Sequence, residues 1–246
     1  MPSQDYENAV PITRDIYWVG FFDEKANLHC NPYLLIDGEE AVIFDPGSIP
    51  HFPIVMRKII DLIRPESIRY VVASHQDPDV CGNLAVLEDV IGTDTLKILA
   101  HINTIRLIRH YGIKSELLAV DRMDYRLKLG SGRVLDFIFT PFLHSPGAIA
   151  TFDSKTRSLF TSDIFGAIST ENWSLFARGD FLTPMTVWHQ TYMSSGRALA
   201  DCMTRFAALD PMRILPQHGS VLEGDQVRQA MDHLRNLPCG TDLPRG

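Results

Sequence analysis

The chain has 246 residues, 45% of them hydrophobic, which is enough for a sizeable core and suits one α/β domain spanning 1–246. A formal charge of -7 without a basic run excludes nucleic-acid binding as its main business, because phosphate recognition needs clustered Lys and Arg. Cys30, Cys81, Cys202 and Cys239 show no Cys-x-x-Cys spacing, which argues against a zinc ribbon or a disulfide framework. An acidic start and apolar runs shorter than the roughly 20 residues of a membrane span point to a soluble, cytoplasmic protein with no signal peptide.

In chain order, strands are expected at 16–20, 32–36 and 41–45, the last two joined at Asp37-Gly38 as a hairpin. Pro46-Gly47 stops the third strand, and apolar residues at helical spacing (Ile54, Val55, Ile59, Leu62) predict a helix over 52–63. A buried strand at 70–73 runs into Ser74-His75-Gln76-Asp77-Pro78-Asp79. Helices are then predicted near 83–90 and 103–111, with strands at 97–100, 123–129 and 134–140. The last of these leads into Leu143-His144-Ser145-Pro146-Gly147. Strand 157–161 leads into Ser162-Asp163, a long helix is expected over 187–209, strand 213–215 leads into Pro216-Gln217-His218-Gly219, and a final helix covers 225–236.

Alternate residues of an extended segment share a side, so His75, Asp77 and Asp79 are expected to converge on one spot. Two hard oxygen ligands beside one imidazole favour iron or manganese over zinc. His144, Asp163 and His218 each follow an apolar strand as well, where α/β folds gather their sites. Any one of the six alone reads as a polar cap on a strand or turn. Six in this order, each at a strand end, read as a metal centre.

These residues resemble the metallo-β-lactamase fold superfamily, an αββα sandwich, over about 16–224. The supporting motifs are Asn31-Pro32-Tyr33-Leu34, Asp45-Pro46-Gly47, the cluster from His75 to Asp79, His144-Ser145-Pro146-Gly147, Thr161-Ser162-Asp163 and Pro216-Gln217-His218-Gly219. Within the superfamily the chain looks most like the di-iron branch, which holds oxygen-binding di-iron proteins and flavodiiron oxygen and nitric oxide reductases. The resemblance implies two iron ions, the first on His75, Asp77 and His144, the second on Asp79 and His218, with Asp163 bridging. It implies no catalytic group beyond the ligands, and zinc or manganese is the alternative metal.

Two positions depart from the branch. Asp77 stands where glutamate is usual, and one missing methylene shortens its reach by about 1.5 Å. Val80 stands where a histidine commonly follows the second carboxylate, so the second metal keeps an open position or takes a ligand from elsewhere. His29 is the leading replacement, and Cys81 a weaker one, because free cysteine is usually a small buried apolar residue. Phe165 and Trp173 are candidate walls of a dry pocket, with Trp18, Phe21, Phe22, Phe176 and Trp188 read as core. Tyr192 and His189 are candidate donors to the ligands.

Dioxygen or nitric oxide is the expected small ligand. The chain carries no flavodoxin-like region, so reduction calls for an external redox donor, whereas oxygen binding, carriage or sensing needs none; a signalling partner would then read the bound state. A homodimer follows from the family resemblance, although a chain without flavin loses the reason for the head-to-tail pairing. The alternative is a zinc hydrolase on the same scaffold. Such hydrolases usually carry histidine at the places of Asp77 and Val80.

Overall fold

The computed structural model describes residues 5–171 and 173–244. The chain divides into two compact units, Met1–Phe22 with Cys30–Arg133 and Asp23–His29 with Val134–Gly246. Each has its own apolar cluster. Among the described residues no helix is long and apolar enough to cross a membrane.

The first unit contains β1 (Val10–Pro11), β2 (Ile16–Trp18), β5 (Tyr33–Asp37), β6 (Glu40–Phe44), β7 (Ile68–Val72), β8 (Lys97–Ala100) and β9 (Glu116–Ala119), between which the short strands β3 (Phe21–Asp23) and β4 (Leu28–Cys30) intervene. Its seven-stranded sheet has the order β1-β2-β5-β6-β7-β8-β9. Strands β1, β2, β5 and β6 pair antiparallel in that order, and β6 to β9 run parallel. Parallel strands need crossovers, here supplied by α1 (Phe52–Ile60), the one-turn α2 (Pro78–Cys81) with α3 (Leu84–Ile91), and α4 (Ile102–Ile108). Strand β10 (Arg126–Lys128) follows β9. The register pairs Phe44 with Val72 and Val72 with Leu99, so the carboxyl ends of β6, β7 and β8 lie side by side.

The second unit contains β11 (Val134–Phe139), β12 (Ile149–Asp153), β13 (Ser158–Ser162), α5 (Leu182–Tyr192), α6 (Gly196–Ala208), β14 (Arg213–Pro216), β15 (Leu222–Glu223) and α7 (Asp225–Arg235). Strands β11 to β15 are neighbours in sequence order. Strands β13 and β14 pair in parallel, Phe160 against Leu215 and Ser162 against Pro216, with a register shift between Phe160 and Ser162. That parallel pair sends Asp163 and His218 out of the same sheet edge.

Several expectations need correction. The helix over 187–209 is two helices: Met193 leaves the helical region at ψ 139°, and the Ser195 side chain caps α6 by accepting from Arg197 N. The strand expected over 123–129 is cut to Arg126–Lys128, because 120–122 form a helical turn and Asp124 and Tyr125 take positive φ. His29, which falls between the strands expected at 16–20 and 32–36, lies in β4. Asp79 is not on an extended segment: Asp77 is extended at φ -69°, ψ 145°, but Pro78 then starts the helical turn that carries Asp79. Proline suits that first helical position because its missing N–H would have no partner inside the helix.

Candidate metal centre

The first group of candidate ligands grows from the end of β7. Asp45, just past β6, accepts the Ser74 backbone N–H at 2.8 Å, and its own N–H donates to Val72 O at 2.9 Å. The Pro46-Gly47 loop is tied to α2 by Gly47 N to Val80 O (2.9 Å), Asn83 N to Gly47 O (3.0 Å) and Asn83 Nδ2 to Pro46 O (2.7 Å). These bonds fix the exit of β7, and His75 emerges buried with Nε2 3.5 Å from Asp77 Oδ2. Asp77 Oδ1 accepts from Gln76 Nε2 at 2.9 Å, and Tyr111 Oη donates to Gln76 O at 2.7 Å. Asp77 and Asp79 are half-buried.

Val80 is fully buried within the apolar cluster of this unit. Cys81 donates its S–H to His75 O and Asp77 O, both at 3.4 Å. Burial foremost, then the carboxylates of Asp45, Asp77 and Asp79, push this thiol well above its ordinary pKa. Both acceptors are backbone carbonyls of the loop that carries His75 and Asp77, so the Cys81 sulfur braces that loop.

The second group is a three-residue array around one carboxylate. Asp163 Oδ2 lies 3.0 Å from His144 Nε2, and Asp163 Oδ1 lies 3.6 Å from His218 Nε2. Each carboxylate oxygen therefore faces a different imidazole. His218 Nδ1 is 2.9 Å from the His29 carbonyl, which can only accept; Nδ1 thus carries the proton and Nε2 offers its lone pair toward Asp163. His29, expected as a replacement ligand, reaches this array through its carbonyl, while its ring stacks on Trp173 at 3.4 Å and 7°. Burial first, then His218, lower the His29 pKa to about 4.

Asp163 is held from behind by α5. Trp188 Nε1 donates to Asp163 O at 3.0 Å, and the Phe165 backbone N–H donates to His189 Nε2 at 3.1 Å. His189 Nδ1 in turn donates to Met185 O at 2.8 Å, and burial lowers the pKa of this ring to about 4, so it stays neutral and can accept. A side chain at Gly166 would put Cβ 2.5 Å from Trp188 Nε1 and 2.8 Å from Asp163 O, which only glycine avoids. Of the expected donors, His189 acts through this turn, and half-exposed Tyr192 stands 6.1 Å from the His144 ring and 4.3 Å from Trp188. Phe165 is fully buried and packs on Phe206, as a core residue does. Tyr111 and Gly166 were not foreseen; the strand-end Asp163 followed three residues later by glycine was the available signal for the second.

Imidazoles set around carboxylates, with the His218 tautomer fixed by the His29 carbonyl, fit iron in its nitrogen and oxygen coordination. Candidate ligands in loops past the strands of each unit are the arrangement of a metallo-β-lactamase fold. The family model described as "ODP family beta lactamase" matches residues 28–219, and the chain belongs to that family. Among solved structures, chemotaxis sensor ODP in a peroxy di-iron species is 27% identical with a TM-score of 0.81, over 95% of this chain and 97% of that one. The apo state of chemotaxis sensor ODP from T. denticola is 28% identical at TM-score 0.81, over 95% of each chain. A putative diflavin flavoprotein A 1 of Thermosynechococcus vestitus is 26% identical over 82% of this chain and 35% of its own length. The flavo-diiron protein FprA2 of Clostridium acetobutylicum is 33% identical over 55% of this chain and 34% of its own length. The chain thus spans about a third of these curated relatives.

Proposed function

We propose that this chain is a non-haem di-iron protein that binds dioxygen, with sensing or carriage as its role. The carrying observation is the Asp163 carboxylate, which presents one oxygen to His144 and the other to His218 and would thus suit a carboxylate shared by two metals. His75, Asp77 and His144 would hold one iron, Asp79 and His218 the other. The similarity to an oxygen-linked di-iron sensor over nearly the full length of both chains supports this reading more than the partial similarity to flavoproteins does.

Two ferrous ions, when bound, can each supply one electron to dioxygen, provided a coordination position stays open. The chain's own part is to orient and enclose. The His29 carbonyl holds the His218 tautomer, Trp188 and His189 hold the Asp163 turn, and apolar Val80 adds no ligand beside Asp79. Nitric oxide fits the same opening. Sustained reduction of either gas would draw electrons from an external donor, and a partner would read the bound state in signalling; a homodimer is compatible with both roles.

Metal analysis and Mössbauer spectra of protein purified without oxygen test the reading. Two irons per chain, antiferromagnetically coupled after oxidation, are expected. A single zinc with esterase activity would replace it by the hydrolase alternative.

A further inference from the structure

A cavity of about 380 Å³ opens in the second unit between the loop after Asp163 and the start of α5. Its volume falls in the range of small-molecule sites, which are mainly apolar with a few polar groups that set orientation. Trp173 and Phe181 line it with half-buried rings, the buried Phe165, Met185 and Leu222 lie behind, and Arg178 lines the same space. Two accessible aromatic rings favour a flat aromatic guest.

The charges in this cavity are asymmetric. Asp180 is committed to α5: its carboxylate accepts the N–H groups of Leu182 (3.1 Å) and Thr183 (3.0 Å), and hydrogen bonds from Thr183 lower its pKa. Ser174 Oγ donates to Phe176 O and Ser220 Oγ to Ser174 O, so those hydroxyl protons are spent. Arg178 is exposed, and among the described residues its guanidinium has neither ion pair nor hydrogen bond. An arginine fork offers two parallel donors that match a carboxylate.

We propose that this cavity binds a small aromatic monocarboxylate, ring between Trp173 and Phe181, carboxylate on Arg178. The wall it would press on leads to a candidate ligand. Trp173 Nε1 donates to Gly219 O at 2.9 Å, and its ring stacks on His29, whose carbonyl takes the His218 proton. An occupant is thereby placed to report to the metal centre; this consequence rests on the di-iron reading, whereas the binding does not.

The test uses the metal-free full chain, titrated calorimetrically with 3-phenylpropionate and, in parallel, with 3-phenylpropanol. Saturable one-to-one binding of the acid is expected, with a dissociation constant near ~1 mM, as befits a ligand of this size. Arg178→Gln, at an exposed position, should weaken the acid about tenfold and leave the alcohol unchanged, since only the acid carries the charge. No saturable binding of the acid, or equal acid affinity in the wild type and R178Q, would overturn the proposal.

Discussion

Asp163 is constrained at both ends: its carboxylate lies between His144 and His218, and its carbonyl is held by the Trp188 indole. Replacing Asp163 by alanine should therefore lower bound iron from two to one or fewer per chain, measured by metal analysis after anaerobic loading. His189 works through a proton as well as through position. Its pKa is about 4 in the fold against 6.5 when free. Below pH 6.5 the unfolded chain takes up a proton that the folded chain refuses, so the stabilisation is complete above that value and is lost as pH falls toward 4. The span amounts to about 3 kcal/mol, an upper figure for a fully buried ring. Urea midpoints of the metal-free protein should fall between pH 6.5 and 4, and the fall should be shallower in His189→Gln; identical slopes would contradict this assignment.

At the scale of elements, the turn after β13 and the face of α5 form one device. Gly166→Ala would push Cβ into Trp188 Nε1 and the Asp163 carbonyl. A cost of about 1–3 kcal/mol is expected, or roughly 2–10 °C in melting temperature for a chain of this size, together with weaker iron binding read by competition with a chelator. The strand ends were legible from sequence because an apolar run followed by His or Asp carries its own signature: His75, Asp163 and His218 all lie just past the predicted strands, and the family resemblance gave the metallo-β-lactamase fold. Less legible were features set by local backbone geometry. Pro78 turns the chain into a helix before Asp79, so the alternation argument holds for His75 and Asp77 only. The break between α5 and α6 depends on the extended backbone of Met193 and the Ser195 cap, and a continuous run of helical spacing conceals both. The backing of Asp163 by Trp188 and His189 joins residues 24 and 25 positions apart, which no local pattern reports.

At the scale of the whole molecule, iron held as proposed should link metal binding to folding. Iron loading without oxygen is expected to raise the melting temperature by about 5–10 °C at metal concentrations near a hundred times the dissociation constant; an unchanged melting curve would argue that the candidate ligands do not act together. The most direct test of the central claim is an optical titration of the anaerobic, ferrous-loaded chain with dioxygen. The account predicts a new visible absorption that saturates at one dioxygen per two irons. Iron-loaded protein whose spectrum is indifferent to dioxygen, or a change that saturates at one dioxygen per single iron, would contradict it.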